Sequence, residues 1–157
     1  MGIEIERKFL VDPEKWVKPD EGVYFTQAYL ISDSERTVRV RIAGDKGYLT
    51  IKGKSNGFSR KEFEYEIPVE EARELMSLCK NFAVEKIRYF LKAGPVTWEV
   101  DEFFGANQGL LMAEVELESQ DQEIELPPWI LKEVTGDDRF FNAYLAKHPY
   151  SGWSEKV

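Results

Sequence analysis

Arg36-Thr37-Val38-Arg39-Val40-Arg41-Ile42-Ala43 is the stretch on which the fold turns. Apolar and charged residues alternate in it, so a β-strand sends Val38, Val40 and Ile42 to one face and Arg39 and Arg41 to the other. Alone, it reads as an ordinary surface strand with one wetted face. The same alternation recurs on both sides of it. Glu4, Glu6 and Lys8 oppose Ile3, Ile5 and Phe9, while Thr50, Lys52 and Lys54 oppose Leu49 and Ile51. Arg60, Glu62, Glu64 and Glu66 oppose Phe63, Tyr65 and Ile67. Further along, Lys86 and Arg88 oppose Ile87 and Tyr89, Glu99 and Asp101 oppose Trp98 and Val100, and Glu114, Glu116 and Glu118 oppose Ala113, Val115 and Leu117.

These runs predict eight strands, at about 3–10, 24–31, 36–43, 48–54, 60–67, 85–92, 96–103 and 110–118. Gly44-Asp45-Lys46-Gly47, Ser55-Asn56-Gly57-Phe58-Ser59, Ala93-Gly94-Pro95 and Gly105-Ala106-Asn107-Gln108-Gly109 supply turns between them. Sequential antiparallel pairing is the simplest topology. Helical spacing follows Pro68, where Ala72, Leu75, Met76 and Cys79 share a face, predicting a helix over about 69–81. Shorter helices are expected from Asp12 with Pro13 in its first turn, between Pro127-Pro128 and Gly136, and over about 138–147.

An antiparallel sheet of this size commonly removes its edges by closing. The helices need apolar partners, which the outer strand faces provide, so the charges point inward. The expected fold is therefore α+β and mainly antiparallel β: an eight-stranded closed tunnel, or β-barrel, with a charged lumen and helices packed on the outside. A lumen lined with charge calls for a ligand, because unpaired buried charges are costly and paired ones roughly break even. Lys8, Arg39, Arg41, Lys52, Lys86 and Arg88 suit a polyanion. Glu4 and Glu6 on the first strand and Glu114 and Glu116 on the last become neighbours on closure, and such hard oxygen donors suit Mg²⁺ or Mn²⁺. Together these point to phosphoryl chemistry.

Composition agrees with this. The 157 residues are of single-domain size, 1–157, with 43% hydrophobic residues to form a core. A net charge of −8 argues against a surface that coats nucleic acid or an anionic membrane, and leaves room for a local basic pocket. No apolar run has the length of a membrane span and no signal peptide is evident, so a cytoplasmic protein is expected. One cysteine and one histidine leave any metal to oxygen ligands. Cys79 is expected in the core and His148 at an exposed end.

Glu4-Ile5-Glu6-Arg7-Lys8 resembles the Glu-x-Glu-x-Lys signature of the CYTH domain, or triphosphate tunnel metalloenzyme, family. Val38-Arg39-Val40-Arg41, Thr50-Ile51-Lys52, Arg60-Lys61-Glu62-Phe63-Glu64, Lys86-Ile87-Arg88-Tyr89, Trp98-Glu99-Val100-Asp101, Glu114-Val115-Glu116 and Glu133-Val134-Thr135-Gly136-Asp137 follow in family order, so the likeness covers residues 3 to about 145. The resemblance implies a tunnel that binds a triphosphate with divalent metal and hydrolyses or cyclises it. It matches Lys8, Arg39, Arg41, Lys52, Lys86 and Arg88 to phosphate-binding positions, and Glu4, Glu6, Glu114 and Glu116 to metal-side carboxylates. Glu62, Glu64 and Asp101 match further acidic positions that orient the bases, hold a second metal or position water. Tyr29 is a candidate hydrogen-bond donor to phosphate. Asp138 and Phe140-Phe141 depart from the family's tail pattern of a Pro and a Tyr-containing segment.

Inorganic tripolyphosphate is the favoured substrate, since no insertion for reading a nucleobase is evident. Phe58, Phe104 or Tyr29 at the mouth would instead suit a base or thiamine ring. The alternatives are a thiamine or nucleoside triphosphatase, an adenylyl cyclase, and a non-catalytic module that binds polyphosphate or nucleotide. Glu66, Glu99, Glu118, Lys54 and Asp33 are expected to be structural or surface residues.

Overall fold

A computed structural model of the chain describes residues 2–56 and 59–157. Its strands are β1 (Ile3–Val11), β2 (Val23–Ser32), β3 (Arg36–Ala43), β4 (Lys46–Gly53), β5 (Ser59–Ile67), β6 (Val84–Ala93), β7 (Val96–Phe104), β8 (Leu111–Glu116) and β9 (Ile130–Glu133). The α-helices are α1 (Val69–Met76) and α2 (Asn142–Lys147). The order is β5-β4-β3-β2-β6-β7-β8-β1-β9, and a further β5–β1 pairing closes the first eight strands into an antiparallel barrel. Among the described residues no helix is long and apolar enough to cross a membrane.

Two-residue hairpins explain part of this order. Ala43 pairs with Lys46 and Ala93 with Val96, and Gly44 and Gly94 take the left-handed backbone (φ 64° and 61°) that such tight turns require. Sequential pairing fails at two places, however, because β2 lies beside β6, and β1 lies between β8 and β5. The chain crosses the barrel at both points. Residues 12–22 cross after β1, with Trp16 edge-on to Trp129 (4.9 Å) and Tyr89 (6.3 Å). α1 crosses after β5 and packs on β2, β3 and β4.

Four helix expectations need correction. Asp12 starts only one turn, in which its backbone oxygen accepts from the amides of Lys15 and Trp16. The 127–136 segment is not a helix, since Pro127 starts a turn and Ile130–Glu133 then becomes β9. The reason lies in β1, whose Ile3–Ile5 half pairs with β5 while Phe9–Val11 extends beyond it. That open edge would leave backbone groups unpaired, and β9 satisfies it. The 138–147 segment divides into a 3₁₀ turn at Asp138–Phe140 and α2. α1 stops at Met76, so Cys79 falls beyond it and is only half-buried.

The core sits outside and beneath the barrel, because the lumen is polar. One cluster gathers Phe9, Tyr89, Trp98, Val100, Ala113 and Val115 on the outer wall under Trp16 and Trp129. Another closes one barrel end, where Phe140, Leu145, Ala146 and Tyr150 meet Leu10, Val84, Phe103 and Met112. α2 thus seals an end, whereas α1 covers the wall.

Candidate functional site

Alternation along the strands delivers the charged residues to one cavity of about 190 Å³. It is lined by Glu4, Glu6, Lys8, Tyr29, Arg39, Arg41, Lys52, Glu62, Glu64, Lys86, Arg88, Glu114 and Glu116, together with Arg60, Glu99, Phe141, Asn142 and Ala143. Every site residue expected from sequence lines it except Asp101, which shares the inward face but is covered by Arg88 and Lys86 and is 2% exposed. Glu99 is therefore no surface residue: it faces the cavity and binds Arg88 Nη1 at 3.0 Å. Arg60 shares the period-two face of Glu62 and Glu64 and was findable by that rule. The tail residues Phe141 to Ala143 carry no comparable signal. Of the mouth aromatics, Phe104 lies in an outer groove with Trp16 and Leu111, because it has the opposite parity to Asp101; Phe58 falls outside the described residues. His148 is exposed and stacks on Tyr144.

The cations divide into paired and unpaired ones. Arg88 forms a fork on Asp101, Nε to Oδ1 at 2.7 Å and Nη2 to Oδ2 at 2.9 Å, and Lys86 Nζ reaches Oδ2 at 2.8 Å. Burial alone would raise the Asp101 carboxyl, yet Arg88 and Lys86 hold it down at about 2. Lys52 bridges Glu4 (3.0 Å) and Glu62 (3.4 Å), and Arg39 reaches Thr50 Oγ1 (3.0 Å) and Glu64 (3.3 Å). Lys8 donates to the Phe140 carbonyl at 3.1 Å and stands 3.6 Å from Glu114. Arg41 differs from these. Among the described residues it has no carboxylate partner, giving Nε to Gln27 Oε1 at 2.9 Å and lying 4.4 Å over the Phe25 ring. Burial and the like charges of Arg39 and Arg88 push its guanidinium down from its ordinary value. The Nε of Arg39 is buried without a partner. Cationic donors in such want of acceptors favour an incoming anion.

The carboxylates show the complementary imbalance. Glu6 pairs in register with Glu116, and Lys8 with Glu114. Burial and the neighbouring Glu114 and Glu4 raise Glu6 to about 8 against the pull of Lys8, while Glu114 is held well below its usual range by Lys8 and Arg88. Glu116 is raised by burial and by Glu4 and Glu62. Among the described residues no three carboxylates already converge on one metal position. The donor chemistry nonetheless fits a hard divalent cation, since the groups are all oxygen, and a cation would relieve the mutual repulsion that raises Glu6 and Glu116. Glu4, Glu6, Glu114 and Glu116 are the residues able to hold one.

A closed eight-stranded antiparallel tunnel whose lumen is lined by bases and carboxylates defines the structural class, and the chain belongs to the CYTH domain family, whose pattern matches residues 2–141. Membership implies a divalent metal. Two relatives are each known as an inorganic triphosphatase. The one from Acetivibrio thermocellus is 48% identical over 99% of this chain and 100% of its own length. The one from Nitrosomonas europaea is 37% identical over 91% and 96%. The solved structure of the inorganic triphosphatase NE1496 matches with a TM-score of 0.65 at 35% identity, covering 91% of this chain and 93% of that one.

Proposed function

We propose that the chain is a divalent-metal-dependent triphosphatase that converts inorganic tripolyphosphate to pyrophosphate and orthophosphate. The observation that carries this is Arg41: a half-buried guanidinium with no carboxylate partner among the described residues, beside Arg39, Arg88 and Lys86, in a cavity of about 190 Å³ that Glu4, Glu6, Glu114 and Glu116 also line. That combination suits a ligand with a chain of anionic groups and a cation attached. The relatives of similar length support the same reading.

In this reading Lys8, Arg39, Arg41, Lys52, Lys86 and Arg88 take the phosphate oxygens, aligning the chain and spreading its developing charge. Asp101 fixes Arg88 and Lys86 and has no oxygen to spare for substrate. Glu4, Glu6, Glu114 and Glu116 would hold Mg²⁺ or Mn²⁺, which when bound would supply Lewis-acid charge. Glu62 and Glu64, facing the cavity, are placed to orient water for in-line attack on a terminal phosphorus, and Tyr29 to donate to a phosphate oxygen. Water adds to that phosphorus as its anhydride P–O bond breaks, and pyrophosphate leaves. Among the described residues two aromatic side chains line the cavity: Phe141 already lies under Lys8 (5.0 Å) and Arg60 (5.1 Å), and Tyr29 is buried at 5% exposure.

Comparing phosphate release from tripolyphosphate, thiamine triphosphate and ATP at equal concentration tests the substrate assignment. Preference for tripolyphosphate is expected. Faster release from either organic triphosphate contradicts it, and pyrophosphate with a cyclic nucleotide from ATP would mark a cyclase.

A further inference from the structure

Two neutral amides stand among the cavity's charges. Gln27, on β2, is completely buried, and both ends of its side chain are used. Its Oε1 accepts from Arg41 Nε at 2.9 Å, and its Nε2 donates to Asn142 Oδ1 at 3.0 Å. The same Asn142 oxygen accepts from Lys86 Nζ at 2.8 Å. A continuous chain thus runs from Arg41 through Gln27 and Asn142 to Lys86. It joins three strands of the wall, β3, β2 and β6, to the first residue of α2, the helix that seals the barrel end.

The chemistry of the link matters more than its presence. A carboxylate would hold either cation as firmly, but it would cancel the charge that an anion needs. Asp101 does this in part to Arg88 and Lys86. An amide oxygen fixes a cationic group in direction and leaves its charge intact. Lost rotamer freedom is thereby met before an anion arrives, which favours binding.

We propose that Gln27 and Asn142 form a neutral clamp, a positioning pair that fixes Arg41 and Lys86 for a triphosphate while adding no counter-charge to Arg41 and none beyond Asp101 to Lys86. This rests on the triphosphatase reading and adds two residues to it. Both act through a cation, so their effects depend on that cation being present.

The test is a pair of double-mutant cycles on kcat/KM for tripolyphosphate with Mg²⁺. Asn142→Ala is expected to lower kcat/KM about tenfold or more in the native background, the scale of a hydrogen bond to a charged group, and less than about twofold when Lys86 is already Met. Gln27→Met should behave in the same way toward Arg41→Met. Gln27→Glu keeps an acceptor for Arg41 but introduces a charge and loses the N–H that Asn142 Oδ1 accepts, and should raise KM. Equal fold losses in both backgrounds overturn the clamp, as does a Gln27→Glu variant with native KM. If Asn142→Ala does not fold, the Gln27–Arg41 cycle on the barrel wall decides alone. Native protein that fails to hydrolyse tripolyphosphate removes the triphosphatase reading itself, whereas native turnover with additive cycles removes only the clamp.

Discussion

Arg41 and Arg88 belong to the same lumen and are expected to respond oppositely to the same substitution. Arg88 makes two hydrogen bonds to the buried Asp101, so Arg88→Met leaves that carboxylate to Lys86 alone and should cost about 3 kcal/mol in urea unfolding. Arg41 has only an amide and a ring for partners. Arg41→Met should leave stability within about 1 kcal/mol of native while weakening tripolyphosphate binding roughly tenfold or more. Denaturation curves beside Michaelis constants check the pair, and a large stability loss at Arg41 would contradict its reading as an unpaired cation.

Glu6 gives a pH prediction. Its folded value is raised to about 8 from an ordinary 4.5, so ionising it in the fold is unfavourable. The penalty is full above about 8 and relieved as pH falls toward 4.5, so metal-free protein should gain stability from Glu6 on acidification through that window. Asp101 works the other way: its stabilisation is present above about 4 and lost as pH falls toward about 2. A divalent cation must displace the Glu6 proton, so metal affinity should rise between pH 7 and 9. In Glu6→Gln that rise should be absent and the metal-free protein more stable at pH 9; calorimetry in two buffers of different ionisation enthalpy reads the proton release.

Single residues were legible where period two applied. Thirteen of the fourteen expected site residues line the cavity, because a strand cannot turn one charge inward without turning its neighbours at i±2. Asp101 obeys the same parity but is covered by the bases it holds, and packing depth is not written in alternation. Gln27 and Asn142 were missed because neutral amides carry no charge pattern.

At the scale of elements, α1 is docked through a near contact that only glycine permits. A Cβ on Gly47 would lie 2.7 Å from the Ala72 Cβ and 3.1 Å from the Ile67 carbonyl oxygen, both in packed structure. Gly47→Ala is therefore expected to destabilise by about 1–3 kcal/mol through overpacking, with the loss read in urea unfolding. An unchanged midpoint would mean that α1 does not bear on β4 as described. The sequence marked all eight barrel strands and α1, since each has its own periodicity. It marked neither β9 nor the β2–β6 and β5–β1 pairings. β9 has four residues, and its reason is an open edge on β1 rather than any pattern of its own. The crossings depend on how residues 12–22 and α1 cover the outer wall, a tertiary property.

For the whole molecule, a net charge of −8 conceals an interior in which bases and a set of carboxylates share one lumen, most of them paired and Arg41 not. Apolar cores outside the barrel wall and beneath its end hold that arrangement rigid. The inside-out plan was readable from the helices' need for apolar partners. Its cost is concentrated in groups such as Arg41 and Glu6, which a metal-bound polyanion would relieve. The most direct test is orthophosphate release from tripolyphosphate by purified protein, with Mg²⁺ and again with excess chelator. One orthophosphate and one pyrophosphate per tripolyphosphate with Mg²⁺, and neither with chelator, is the expected result. Release that is the same in chelator, or none with Mg²⁺ or Mn²⁺, would contradict the account.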